Sequence, residues 1–296
     1  MSNPSAPTVA RSLPPPELSN SGLVLLYGST PNGWKCTYAL EVLKQAGRIE
    51  GYTVCEVYLQ NGEQFQDWFK EINPNSKMPA LIDNRPNGAS PIYVWESASI
   101  LRYLARTYDY TSPRVLGFEE PDLETQMDNW IFWTQGGLGP MQGQLNHFYR
   151  YAEVPQPIAE KRYRDEVERL YKVLDTHLEG REYLVGDKLS YADVCAQPWI
   201  RCHFWAGLST AYLQSTYPSL LAWHDRIDSL PVILDALKIP SQDLVTRVKQ
   251  DPELEGRIME GMRKKREEAQ RKAKEAEAGE QGGEGKVTAV AGEDKK

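Results

Sequence analysis

The strongest constraint on the fold of this chain is a change of hydrophobic period between residues 23 and 58. Leu23-Val24-Leu25-Leu26-Tyr27 is an unbroken apolar run, the pattern of a buried strand. Gly28 to Gly33 has the composition of a turn. From Trp34 to Ala46 the spacing turns helical, with Tyr38, Leu40, Leu43 and Ala46 available for a buried face and Gly47 as a stop. Tyr52 to Tyr58 then alternates with period two, as a strand does. Strand, helix and strand in this order imply a right-handed parallel crossover.

The alternation continues. Gln64 to Ile72 reads as a helix, and residues 80–83 and 91–94 read as short strands joined by the polar loop 84–90. Ser97 to Tyr108 is again helical, with Ile100, Leu101, Leu104 and Ala105 at apolar spacing. The order β-α-β-α-β-β-α is the layout of a thioredoxin-like domain, expected over residues 21–110. After a linker at 111–121 the strand patterns stop. Helices are expected at Asp122–Gln135, Ile158–Leu178, Tyr191–Ala206 and Pro218–Ser229, which makes residues 122–238 an all-α domain. The predicted fold class is therefore α/β plus all-α, and 296 residues suffice for about two domains. Residues 1–20 hold five prolines and few apolar side chains, so a flexible, disordered arm is expected. Residues 239–296 read as a charged tail, with a lone exposed helix at Gly261–Ala278 and disorder over 279–296.

Composition narrows the function. A net charge of −7 argues against nucleic acid as the main partner. No apolar run approaches the roughly 18–20 residues that cross a bilayer, so no membrane association is expected. Residues 1–20 contain no apolar signal core and only Arg11 as a base, which makes a cytoplasmic location the expectation. Cys36, Cys55, Cys195 and Cys202 include no C-x-x-C pair and read as reduced thiols. His147, His177, His203 and His224 lack metal-ligand spacing, so no metal is expected.

Five short segments are candidates for chemistry or for local folding. Thr30-Pro31-Asn32-Gly33 opens a helix, whose unpaired N–H groups and partial positive charge favour a thiolate or another anion. Thr30 and Asn32 can each donate a side-chain hydrogen bond, but neither is a ready nucleophile. Read alone, the turn is an ordinary helix start with Asn32 as its cap. Asn73 to Pro79 is rich in turn residues and precedes a strand. A cis Met78-Pro79 bond would offer the Met78 backbone to a peptide ligand, and a plain extended entry fits the residues as well. Trp95-Glu96-Ser97 ends a strand and opens a helix, with Ser97 as a natural cap. Glu96 and that helix start together would receive an amino-acid zwitterion, or be only a cap and a first-turn acid. Gln135 to Met141 lacks the ending of a phosphate loop and is expected to break or kink a helix, opening a cleft near Asn146, His147, Phe148 and Tyr149. Ser190 to Asp193 reads as a capping box, a folding element.

The order of these motifs from about Leu23 to Leu237 resembles the glutathione transferases. Within that family, Thr30-Pro31-Asn32-Gly33, Trp95-Glu96-Ser97-Ala98, Gly136 to Met141 with Gln144, and Asn146-His147-Phe148 resemble the bacterial nu class and the fungal nitrogen-regulator proteins. The resemblance implies a glutathione site. Thr30 and Asn32 would be the catalytic pair at the ligand sulfur. Met78, next to a cis Pro79, would pair with the cysteinyl backbone, with Lys77 beside it. Glu96 and Ser97 would hold the γ-glutamyl end. Gln64 would contact the glycyl end or ligand backbone, and Arg162 is a further contact. It also implies a homodimer that reduces glutathione-containing disulfides or conjugates glutathione, using no cysteine of its own. The alternative is a non-catalytic glutathione-binding regulator. Residues 1–20 have no Asn/Gln-rich run, so no prion behaviour is implied.

Overall fold

The computed structural model describes residues 9–86, 89–251, 253–258, 260–261, 263–264, 267–268 and 271. The chain begins with a four-stranded sheet in the order β2-β1-β3-β4, made of β1 (Gly22–Tyr27), β2 (Tyr52–Glu56), β3 (Ala80–Asn84) and β4 (Ile92–Trp95). β1 runs parallel to β2 and antiparallel to β3, and β4 is antiparallel to β3. β1 is thus interior, and both of its faces are covered. Leu23, Leu25 and Tyr27 enter one core with residues of α1 (Pro31–Gln45) and α3 (Ser97–Thr107). Val24 and Leu26 enter a second core against Trp68, Phe69 and Ile72 of α2 (Asp67–Ile72). Two-sided burial is the reason the run carries no polar residue.

All-helical structure follows: α4 (Pro121–Trp133), α5 (Gly139–Asn146), α6 (Pro157–His177), α7 (Tyr191–Arg201), α8 (Thr210–Thr216), α9 (Pro218–Asp228), α10 (Pro231–Ala236) and α11 (Leu244–Gln250). A thioredoxin-like domain followed by an all-α domain is the fold class expected. α1 lies where the two halves meet, packed on α3, α7 and α10. Gly33 through Leu40 are consequently all buried, beyond the single face that periodicity suggested.

Local details differ from the sequence reading. Gln64–Ile72 is not one helix: Glu63–Phe65 forms a 3-10 turn, and α2 starts at Asp67. Gly136–Met141 does not end its helix. From Pro121 to Tyr151 the chain stays helical through α4, a π turn at Thr134–Leu138, α5 and a second π turn at His147–Tyr151. Pro140 has no N–H to return to Gly136, and the widened turn accommodates that loss. Gly139 allows close packing here: a Cβ on it would stand 2.9 Å from Trp199 Nε1. The connection between the halves is pinned by buried Asp109, which accepts the N–H groups of Val115, Leu116 and Gly117 at 2.7, 2.9 and 2.9 Å. The capping box is present, with Asp193 accepting the Ser190 N–H at 3.0 Å and also Trp223 Nε1 at 2.8 Å.

The disorder expected for residues 1–20 does not describe residues 9–20. Pro16–Ser19 forms a 3-10 turn, and Arg11 is bonded to buried Glu63. Composition missed this anchor because it is polar rather than apolar. The charged tail expected from residue 239 likewise begins as packed structure: α11 buries Val245, Leu254 is buried, and buried Asp243 pairs with Arg201. The remaining expectations for residues 1–8, most of 261–278 and all of 279–296 lie outside the described residues.

Candidate active site

The topology gathers the site at one end of the sheet. β1 ends there and passes into α1. β4, antiparallel to β3, also ends there and passes into α3, while β3 starts there just after Met78-Pro79. The register Leu26↔Ala80↔Trp95 places the three junctions side by side. Their residues line one cleft with about 280 Å³ of empty space, formed by Asn32, Asn73, Lys77, Met78, Pro79, Glu96, Ser97 and Gln135.

The first junction is set by steric need and by capping. A Cβ on Gly28 would stand 2.4 Å from Met78 Cε, and one on Gly33 would stand 2.5 Å from the Gly28 carbonyl. Glycine at both positions lets α1 start hard against the strand end. Thr30, not Asn32, is the N-cap: its Oγ1 accepts the Gly33 N–H at 3.2 Å, and Trp34 N–H reaches the Thr30 carbonyl. Pro31 has no N–H, so Asn32 carries the N–H left for a ligand at this helix start.

At the second junction, Asn73 is buried and holds the turn before Met78. Its Nδ2 donates to the Lys77 carbonyl at 2.6 Å, and its Oδ1 accepts the Asn75 N–H at 2.9 Å. The Met78-Pro79 bond is cis.

At the third junction Ser97 is not the cap. Glu96 occupies the N-cap position with φ of 67°, a conformation costly for a residue with a Cβ and characteristic of constrained functional sites. Its Oε1 accepts from Asn75 Nδ2 at 3.3 Å and its Oε2 from Gln135 Nε2 at 3.1 Å. The Ser97 hydroxyl faces Lys35 Nζ at 3.3 Å and Gln135 Oε1 at 3.3 Å, so no side chain caps α3. Lys35 is fully buried and donates to Gln135 Oε1 at 2.9 Å. No described carboxylate lies within ion-pair distance of its ammonium. A buried charge without a counterion leaves the cleft electrostatically suited to an anion.

The protein's own thiols are poor nucleophiles. All four cysteines are free and buried, and burial pushes Cys36, Cys55 and Cys202 up to about 12 and raises Cys195 as well. Tyr27 is buried, and its phenol is raised by burial too. Among the described residues, no group of three or more His, Cys, Asp or Glu is placed to hold a metal ion.

The glutathione S-transferase N-terminal domain model matches residues 31–107, and the C-terminal domain model matches residues 143–231. Disulfide-bond oxidoreductase YfcG of Escherichia coli (strain K12) is 37% identical over 214 residues, covering 72% of this chain and 93% of its own. The chain belongs to the glutathione S-transferase family. Among solved members, the glutathione transferase of Pseudomonas putida, with one glutathione disulfide bound per subunit, superposes with a TM-score of 0.68 at 29% identity, covering 75% of this chain and 94% of that one. The nitrogen regulation fragment of the yeast prion protein Ure2p gives 0.66 at 29% identity, covering 76% and 99%.

In this transferase fold, six of the nine residues named from sequence line the cleft: Asn32, Lys77, Met78, Pro79, Glu96 and Ser97. Thr30 is adjacent as the cap of α1. Gln64 and Arg162 are not brought into the lining. Gln64 sits half-buried on the 3-10 turn, its Oε1 buried without a protein partner, and Arg162 is exposed on α6. Lys35 is not among the candidates read from sequence, and Asn73 and Gln135 open two of the candidate segments without an assigned role. Lys35 had a faint signal, since it falls in helical step with buried Ala39 and Val42. The contacts of Gln135 have no such signal, because the π turn that carries it breaks the helical period.

Proposed function

We propose that the cleft binds glutathione and that the protein is an enzyme acting through the thiolate of that ligand. The observation that carries this reading is the meeting of Asn32, Met78, Glu96 and Ser97, from three separate junctions, in one cleft of a glutathione-transferase fold. The sulfur is assigned to the start of α1, where Thr30, Asn32 and the Asn32 N–H are the donors. The γ-glutamyl carboxylate is assigned to the uncapped start of α3 and Ser97, its ammonium to Glu96, and the cysteinyl backbone to Met78. Lys77, Gln64 and Arg162 are proposed as further contacts, the last two from outside the cleft lining. A solvated thiol ionises near pH 8.5, and lowering this by one unit requires about 1.4 kcal/mol. A helix N-terminus contributes about 0.3–1 kcal/mol and a hydrogen bond to a charged group about 1.5–3 kcal/mol, which together suffice.

The reaction assigned is thiol–disulfide exchange. The bound thiolate attacks the glutathionyl sulfur of a mixed disulfide. A new S–S bond forms glutathione disulfide, the old one breaks, and the departing thiolate takes a proton from water. Conjugation to an electrophile would use the same activated sulfur. The test is turnover of a model mixed disulfide with glutathione: turnover that persists in Cys36→Ser supports the reading, and glutathione binding without turnover sinks it.

The likeness to the Ure2p regulatory fragment favours one second reading, a glutathione-binding regulator without turnover, and the same assay separates the two. Exposed Phe65, Tyr93, Trp95 and Phe132 are the apolar residues we assign to a homodimer of nu-class type, checked by sedimentation. Four reduced thiols fit a cytoplasmic setting. No helix among the described residues is long and apolar enough to cross a membrane.

A further inference from the structure

Besides Leu18, which packs on the second core and whose carbonyl accepts from Asn84 Nδ2 at 2.8 Å, the N-terminal segment is held to the thioredoxin-like domain by a polar contact set around buried Glu63. Arg11 Nε donates to Glu63 Oε1 at 2.8 Å, its Nη2 to Glu63 Oε2 at 2.7 Å, and its backbone N–H to Glu63 Oε1 at 3.0 Å. Trp68 Nε1 returns a bond to the Arg11 carbonyl at 2.8 Å, and the guanidinium lies 5.2 Å from the centre of the Tyr58 ring. Glu63 has no solvent exposure, and within its own segment it accepts the Tyr58 N–H at 3.0 Å. A carboxylate this deep needs a matched charge and well-formed hydrogen bonds, and the forked guanidinium supplies both.

The segment so held runs from β2 to α2 and borders the sulfur end of the cleft. Val57 N–H donates to the Tyr27 carbonyl at 2.8 Å, and the Val57 carbonyl is 3.8 Å from the point where a Cβ on Gly28 would stand, beside Met78. The residue after Glu63 is Gln64, whose buried Oε1 has no protein partner.

We propose that residues 9–18 form a positioning strap for the glutathione site, in which Arg11 closes on buried Glu63 and fixes the turn that presents Gln64 to the peptide ligand. The inference rests on the assignment of the cleft to glutathione. Arg11 is a positioning residue: it touches no reacting atom and acts through the 57–66 turn.

The test uses the full chain with Arg11→Gln, Arg11→Lys, Gln64→Ala and the double variant Arg11→Gln/Gln64→Ala. Glutathione affinity is measured by calorimetry, and turnover of a model mixed disulfide at saturating glutathione. Arg11→Gln weakens binding about tenfold, the scale of one contact side chain left to be ordered on binding, with kcat within about twofold. Arg11→Lys falls between, and the double variant binds no worse than the weaker single. Affinity unchanged in Arg11→Gln, or losses that multiply in the double variant, overturns the strap. Absence of glutathione binding in the unmodified chain overturns the site assignment itself, and the strap with it. If Arg11→Gln does not fold, amide exchange of Arg11→Lys decides: faster exchange confined to residues 57–66 supports the strap, and unchanged exchange there overturns it.

Discussion

At the scale of single residues, the site works by withholding nucleophiles and supplying donors. Every cysteine is buried with its thiol raised, so Cys36→Ser is predicted to leave turnover within about twofold, read in the mixed-disulfide assay. Lys35 is the opposite case, a buried cation answered by the neutral Gln135 and Ser97. Lys35→Met keeps the length and removes the charge. It is predicted to weaken glutathione binding by about 1–3 kcal/mol, the worth of a charged hydrogen-bond network, and to change binding of an uncharged analogue little. Calorimetry with both ligands checks this. Asn32, Met78, Pro79, Glu96 and Ser97, picked out by their motifs in the sequence, line one cleft, and their part in binding is the proposal made above. Their bonding was not legible in the sequence. Thr30 rather than Asn32 caps α1, and Ser97 turns its hydroxyl to Lys35 and Gln135 instead of capping α3. One sequence cannot rank two neighbouring polar residues for one cap, because the choice is made by what packs above them.

Elements were read well where both ends carry local chemistry. The Ser190–Asp193 box defines the start of α7, and Asp193 also ties Leu184 and Trp223 to it. Asp193→Ala strands several buried donors at once and is predicted to cost about 3–5 kcal/mol, measured as a fall in the urea midpoint. Of the break or kink that glycine and proline signal at Gly136–Met141, the break does not occur. Here the ladder widens to a π turn, and the helix continues to Tyr151. Gly139 is retained by its closeness to Trp199, so Gly139→Ala is predicted to destabilise by about 1–3 kcal/mol through overpacking. α1 shows the same limit in another form. Its periodicity suggested one buried face, and docking of the helical half buried the rest, a tertiary fact that no local window contains.

At the scale of the molecule, the two halves converge on α1. Arg201 of α7, with side-chain exposure of 1%, pairs with Asp228 at 2.5 Å and Asp243 at 3.1 Å and lies 5.7 Å from the ring centre of Trp34. Buried beside this cluster, His224 is pushed down to about 3 by desolvation, and its Nδ1 meets Gln197 Nε2 at 2.9 Å. It is neutral in the fold, so its 3.9 Å approach to Asp225 is no ion pair at neutral pH. In the unfolded chain this histidine takes up a proton near pH 6.5, and the native state does not. Stability is therefore predicted to fall as pH drops from about 6.5 toward 3, with a slope of up to about 1.4 kcal/mol per pH unit. His224→Gln flattens that slope in urea melts taken across the window. The convergence on α1 serves the start of that helix, where the ligand sulfur is assigned. The most direct measurement of that claim is the ultraviolet thiolate titration of glutathione bound to the unmodified chain and to Asn32→Ala. The account predicts a bound thiol pKa about one unit or more below that of free glutathione, moving back toward the free value in the variant. A bound thiol that titrates like the free one, or a lowered pKa that Asn32→Ala leaves untouched, would contradict it.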